Sequence, residues 1–74
     1  MATTINQVLR AAREYRGRTQ GSLSIQSKVS KTAIQAYERG AVSPGTDNVA
    51  RLAKALRISI TIDPSGSWSW KPVG

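Results

Sequence analysis

Cysteine and histidine are both missing from this sequence. Without cysteine there is neither a disulfide framework nor a thiolate metal site, and without histidine the commonest general base and the commonest zinc ligand go too. Acidic residues are scarce, with Glu14, Glu38, Asp47 and Asp63 the whole supply. No glycine-rich phosphate loop accompanies them, so the sequence reads as a non-enzyme with no cofactor and no metal. No apolar run approaches the roughly 20 residues that span a bilayer. The stretch from Met1 to Gly17 is amphipathic and carries Arg10, Arg13 and Arg16, unlike a secretory signal with its charged start, apolar middle and small-residue end. The expectation is a cytoplasmic protein without membrane contact.

What is present is positive charge. Eleven lysines and arginines oppose the four acids, a formal charge of +7 on 74 residues. An ordinary soluble domain gains only self-repulsion from such an excess, whereas a polyanion rewards it through counterion release. The basic residues are spread over several segments and do not form one polybasic helix face, which favours nucleic acid over a membrane surface. So short a chain buries only about 60% of its unfolded surface, and a partner chain would enlarge its small core.

Four helical segments follow one another. Thr4 caps the first, with Gln7 placed to complete a capping box; Ile5, Val8, Leu9 and Ala12 form its apolar stripe and Gly17 its stop. Thr19 caps the second, Gln20 to Ser27, where Leu23 and Ile25 are the large apolar residues and Gly21 and three serines lower helicity. After a turn around Lys28 and Val29, Ser30 caps a third helix running to about Arg39, with Ile34 and Tyr37 three apart and Gly40 closing it. Ala41 to Gly45 reads as a loop, after which Thr46 or Asp47 caps a fourth helix ending at Leu56 or Arg57, with Val49, Leu52, Ala53 and Leu56 on one face.

At Ile58 the period changes to alternation. Ile58, Ile60 and Ile62 alternate with Ser59, Thr61 and Asp63, and Asp63-Pro64-Ser65-Gly66 suits a type I turn followed by a left-handed glycine. Pairing Asp63 with Ser67 sets Ile62 against Trp68, Ile60 against Trp70 and Ile58 against Pro72, with every apolar residue on one face. An isolated hairpin is marginal in water and must pack on something. It either completes its own helical domain or extends its sheet across a two-fold axis into a second subunit, the latter preferred; residues 64–74 as a disordered tail is the third reading. The division is residues 1–57 as a helical, nucleic-acid-binding domain and 58–74 as a strand or hairpin tail that is a candidate dimerisation element through Ile58, Ile60, Ile62, Trp68 and Trp70.

Residues 9–58 resemble the lambda-repressor-like, or Xre/Cro, helix-turn-helix family. The resemblance is carried by Leu9, Arg10 and Arg13, then Gly17, Thr19, Gln20 and Leu23, then Val29, Ser30, Ile34, Tyr37, Glu38, Arg39, Gly40 and Pro44, and finally the run Leu52 to Leu56. It implies a mainly α, four-helix fold with a C-terminal strand or hairpin, in which the third helix enters the major groove of double-stranded DNA. On that basis Lys31, Thr32, Ala33, Gln35 and Ala36 are base-contact candidates: lysine donates to guanine O6 or N7, glutamine pairs with adenine N6 and N7, and small apolar groups meet a thymine methyl. Gln20, Arg10, Arg18, Lys28, Ser30 and Arg39 are phosphate-contact candidates, with Arg16 a weaker one. The resemblance also implies that Arg13 and Glu38 pair to tie the first helix to the third.

Three departures stand in the second helix, where Ser24 and Ser27 replace an alanine and a leucine and Lys28 replaces a glycine. They lead to the expectation of a looser or shifted turn, with Ile25 taking over part of the buried role. The family's fifth helix is also absent, and the segment from Ile58 to Trp70 resembles the strand of HipB-type antitoxins that pairs between subunits. The functional expectation is a homodimeric repressor at a palindromic operator. The alternatives are an antitoxin that binds a toxin protein and autoregulates its operon, and an RNA-binding or nucleoid-like protein without sequence preference.

Overall fold

A computed structural model of the chain describes residues 3–73. Its elements are α1 (Ile5–Tyr15), α2 (Gln20–Ser27), α3 (Lys31–Glu38), α4 (Thr46–Leu56), β1 (Ile58–Ile62) and β2 (Trp68–Pro72).

Three of the four helices begin on a side-chain cap. The Thr4 hydroxyl accepts from the Gln7 amide at 3.2 Å while the Gln7 side-chain oxygen accepts from the Thr4 amide at 3.0 Å, a reciprocal capping box. Thr19 accepts from the Ser22 amide at 3.0 Å and Ser30 from the Ala33 amide at 3.1 Å. The fourth helix differs from the sequence expectation: its N-cap is Gly45 with no side-chain bond, Thr46 is already helical, and Asp47 lies in the first turn. There its carboxylate complements the positive end of the helix dipole without capping it.

One core joins all the elements. Ile5, Val8, Leu9 and Ala12 of α1 meet Leu23, Val29, Ile34, Tyr37, Leu52, Leu56 and Ile58. Asn6 clamps the far end of α3, donating to the carbonyls of Tyr37 at 2.5 Å and Val42 at 2.9 Å. The Tyr37 hydroxyl, carried into the interior by its ring, accepts from Asn48 at 2.7 Å.

The turn between α2 and α3 is neither loose nor shifted. Ser27 is buried, its hydroxyl donating to the Leu23 carbonyl at 2.7 Å and accepting from the Val29 amide at 3.2 Å. Lys28 holds the left-handed conformation, φ 61°, that the turn demands. Ile25 does not take a buried role: it is 82% exposed. In α2 the inward line already passes through Leu23 and Ser27, and Ile25, two residues from each, points elsewhere.

The tail is an ordered hairpin in the expected register, Ile58 with Pro72, Ile60 with Trp70 and Ile62 with Trp68. The Asp63 carboxylate accepts from the Ser65 hydroxyl at 2.5 Å and from the amides of Ser65 and Ser67 at 2.9 and 3.0 Å, which holds that carboxyl below the ordinary aspartate range. Gly66 takes φ 88° to complete the turn. The hairpin leans on its own α1: the Trp68 amide donates to the Thr3 carbonyl at 2.8 Å, and the Trp70 ring meets Tyr15 edge-on at 5.3 Å. Residues 64–73 are therefore not a disordered tail in this structure.

Candidate nucleic-acid interface

α3 is short, and its orientation depends on what grips its two ends. At its end, the Glu38 carboxylate accepts from Arg13 Nε at 2.7 Å and Nη2 at 2.9 Å, a two-pronged pair with side-chain exposures of 6% and 15%. Hydrogen bonding to Glu38 raises the Arg13 guanidinium above its ordinary range, against the opposing effect of burial. Arg13 Nη1 also donates to the Arg18 carbonyl at 2.7 Å, and Gln20 Nε2 donates to Glu38 at 3.1 Å. The start of α2, the loop before it and the end of α3 thus converge on one buried ion pair of α1.

Held in this way, α3 turns Ile34 and Tyr37 inward and leaves Lys31, Thr32 and Gln35 exposed. At roughly 100° per residue these three span an arc of about 100°, with the half-buried Ala36 at its margin. Ala33 is different, since it packs partly against the core. The Ser30 oxygen is engaged in capping, while its residue stays exposed beside Lys31.

The phosphate-contact candidates separate into two groups. Arg10, Gln20 and Arg39 join Gln35 around a shallow cleft of about 280 Å³. Arg10 also approaches Glu14 at 3.8 Å, an exposed pair of the kind that contributes little. Arg18 and Lys28 lie on the other side of α2, where Arg51, Lys54 and Arg57 join them. Those three cations were not singled out in the sequence; the available signal was Arg51 and Lys54, three apart on α4 and off its Val49, Leu52, Leu56 stripe. Arg16 donates to the carbonyls of Leu56 at 2.9 Å and Arg57 at 2.8 Å, so two of its nitrogens satisfy the end of α4.

Of the dimerisation candidates, Ile58 is sealed in the chain's own core, Ile60, Trp68 and Trp70 are half-buried against it, and Ile62 is 54% exposed. Among the described residues no group of three or more His, Cys, Asp or Glu side chains is placed to hold a metal. No helix of the described residues is long and apolar enough to cross a membrane.

Four helices with a capped, outward-facing third helix behind a short turn define a lambda-repressor-like helix-turn-helix domain. The sequence pattern of the helix-turn-helix family matches residues 9–62, and the chain belongs to that family. It is similar to the uncharacterized HTH-type transcriptional regulator y4dL of Sinorhizobium fredii, with 38% identity over 60 residues, 81% of this chain and 31% of the relative. This chain thus spans under a third of that relative's length.

Proposed function

We propose that the chain is a sequence-specific double-stranded DNA-binding protein that represses transcription, as a homodimer, at a palindromic operator in the cytoplasm. The observation that carries this reading is the exposed row of Lys31, Thr32 and Gln35 on a helix whose orientation is fixed by the Arg13–Glu38 pair. Gln20, Arg10 and Arg39 border the same surface and contact the backbone on either side of the groove. The family and the relative's description as a transcriptional regulator support the same reading. The carboxylates favour a binding role over catalysis: Glu14 and Glu38 pair with arginines, Asp47 lies in the first turn of α4, and Asp63 braces the hairpin turn.

Support for the dimer comes from the free edge of the hairpin. The Asp63 amide bonds to Ser67 and the Val73 amide to Arg57, so by antiparallel alternation the amides of Ile60 and Ile62 point away from β2. They have no backbone partner among the described residues. A second copy of β1 satisfies that edge and covers the exposed Ile62.

Selection of bound fragments from the source genome, followed by salt-titrated binding, tests the proposal. The expected result is enrichment of paired half-sites about one helical turn apart, with a large affinity ratio over random duplex. Lys31→Ala or Gln35→Ala is expected to cost about 1–3 kcal/mol on the selected site and little on random sequence. Equal losses on both, or no enriched sequence, would overturn base reading by α3.

A further inference from the structure

α2 divides the basic surface in two. On its α1 and α3 side lies the shallow cleft that contains Gln20 and Gln35. On its α4 side lies a larger cleft of about 680 Å³, bordered by five cations, Arg18, Lys28, Arg51, Lys54 and Arg57. The two clefts share no residue, and no carboxylate lines the second. Among the described residues none of the five cations forms a salt bridge.

Helix ends explain part of this charge. Lys28 is the C-cap of α2, Arg57 is the C-cap of α4, and Lys54 lies in the last turn of α4. A helix C-terminus acts as roughly half a negative charge, so two of them offset about one positive charge of the five. Arg18 donates to the side-chain oxygen of Gln26, which orients it without neutralising it. The remaining excess lines one concave surface, where the fields add. Such an arrangement opposes folding unless an anion relieves it.

We propose that this cleft is a second phosphate-binding surface, which holds the phosphodiester backbone of duplex DNA outside the groove entered by α3. The inference rests on the DNA-binding reading above. The lining favours a phosphate backbone over an acidic protein segment, because Ala55 is its one apolar side chain and the cleft provides no anchor pocket. Charge alone is the reward here, which is the condition for binding by counterion release. Lys28 stands two residues before the Ser30 cap, so a backbone held in the cleft runs close to the start of α3.

The test is the salt dependence of duplex binding by Arg51→Gln/Lys54→Gln, in a duplex of about three helical turns, alongside Lys71→Gln as a charge control outside the cleft. Glutamine keeps helix propensity at both exposed sites, and a melting temperature at or above that of the unsubstituted protein verifies folding. Each lost phosphate contact removes about 0.9 from the slope of log K against log salt, so the double variant is expected to lose about 1.8, equally on selected and random sequence. Lys71→Gln is expected to leave the slope unchanged. If the unsubstituted protein binds duplex but the double variant keeps its slope, the cleft proposal is overturned while the α3 reading stands. If the unsubstituted protein binds no duplex at all, both are overturned. Saturable shifts of the cleft amides by inorganic pyrophosphate, with the duplex slope unchanged, would assign the cleft to a free phosphorylated ligand and overturn the proposal as well.

Discussion

Replacing Arg13 by alanine removes the hub to which α1, α2 and α3 are tied. The Glu38 carboxylate, 6% exposed, keeps one hydrogen bond from Gln20 but loses both from the guanidinium. The Arg18 carbonyl loses its donor as well. Leaving one partner of a buried pair unmatched costs about 3–5 kcal/mol. A domain of 74 residues has only roughly 4–11 kcal/mol of stability in total, so the variant sits close to its unfolding threshold. At about 4–8 °C per kcal/mol, its melting temperature falls by at least about 12 °C. The Arg13 pKa is raised in the folded state, so the guanidinium's contribution is fully present below the ordinary arginine value and is lost only as pH climbs through the raised one. The deficit is therefore the same across the whole neutral range. Urea unfolding followed by far-UV dichroism and by the fluorescence of Trp68 and Trp70 measures it, and coincidence of the two probes licenses the two-state treatment. Arg13→Met combined with Glu38→Met is expected to lose less than Arg13→Ala, because no buried charge is left behind. An Arg13→Ala loss under about 1 kcal/mol, or a double variant as damaged as the sum of its single changes, would refute the view of this pair as the brace of α3.

Two further perturbations test local features. Lys28→Gly relieves a left-handed non-glycine residue, φ 61°, and is expected to raise stability by up to about 1 kcal/mol while lowering duplex affinity through the lost cation; a destabilised variant would contradict the strain argument. The hydrogen bonds to Asp63 lower its pKa, so their contribution is present above the ordinary aspartate value of about 3.9 and is lost as pH falls through the lowered one. Tryptophan fluorescence should report hairpin loosening in that acid range, Asp63→Asn should remove this component, and an identical acid profile in the variant would refute the assignment.

The helices were legible because their signals are local. Caps at Thr4, Thr19 and Ser30, together with stripes such as Val8, Leu9, Ala12 and Leu52, Leu56, need no tertiary knowledge, and the hairpin register follows from turn chemistry and alternation agreeing. The exposed row on α3 was legible only through the family resemblance, which makes α3 the helix that enters the groove. What was not legible depends on how elements meet. Asn6 and Asn48 are ordinary polar residues until folding sets them beside the Tyr37 carbonyl and hydroxyl. Arg16 and Arg18 are neighbours of like charge, yet one is committed to the end of α4 and the other borders a cleft. The cluster of Arg51, Lys54 and Arg57 with Lys28 forms only when α4 lies along α2, a packing that sequence periodicity does not encode.

Ser27 shows how a polar residue can stand where the family uses a leucine without disturbing the turn. Its hydroxyl bonds to Leu23 and receives the Val29 amide, so the site is satisfied by two hydrogen bonds in place of apolar volume. Val29 is itself 4% exposed, and a buried amide that loses its acceptor costs about 1–3 kcal/mol. Ser27→Ala therefore strands a buried amide and is expected to cost about 1–3 kcal/mol, although alanine is the better helix former. Ser27→Leu restores the family's residue type but forces extra methylenes against Leu23 and α4, with an overpacking cost of about 1–3 kcal/mol added to the stranded amide. Leucine is thus expected to be worse than alanine here. Thermal unfolding of the two variants decides between the accounts: if leucine proves the more stable, the core beside α2 has room that the hydroxyl leaves empty, and hydrogen bonding is not what secures this turn.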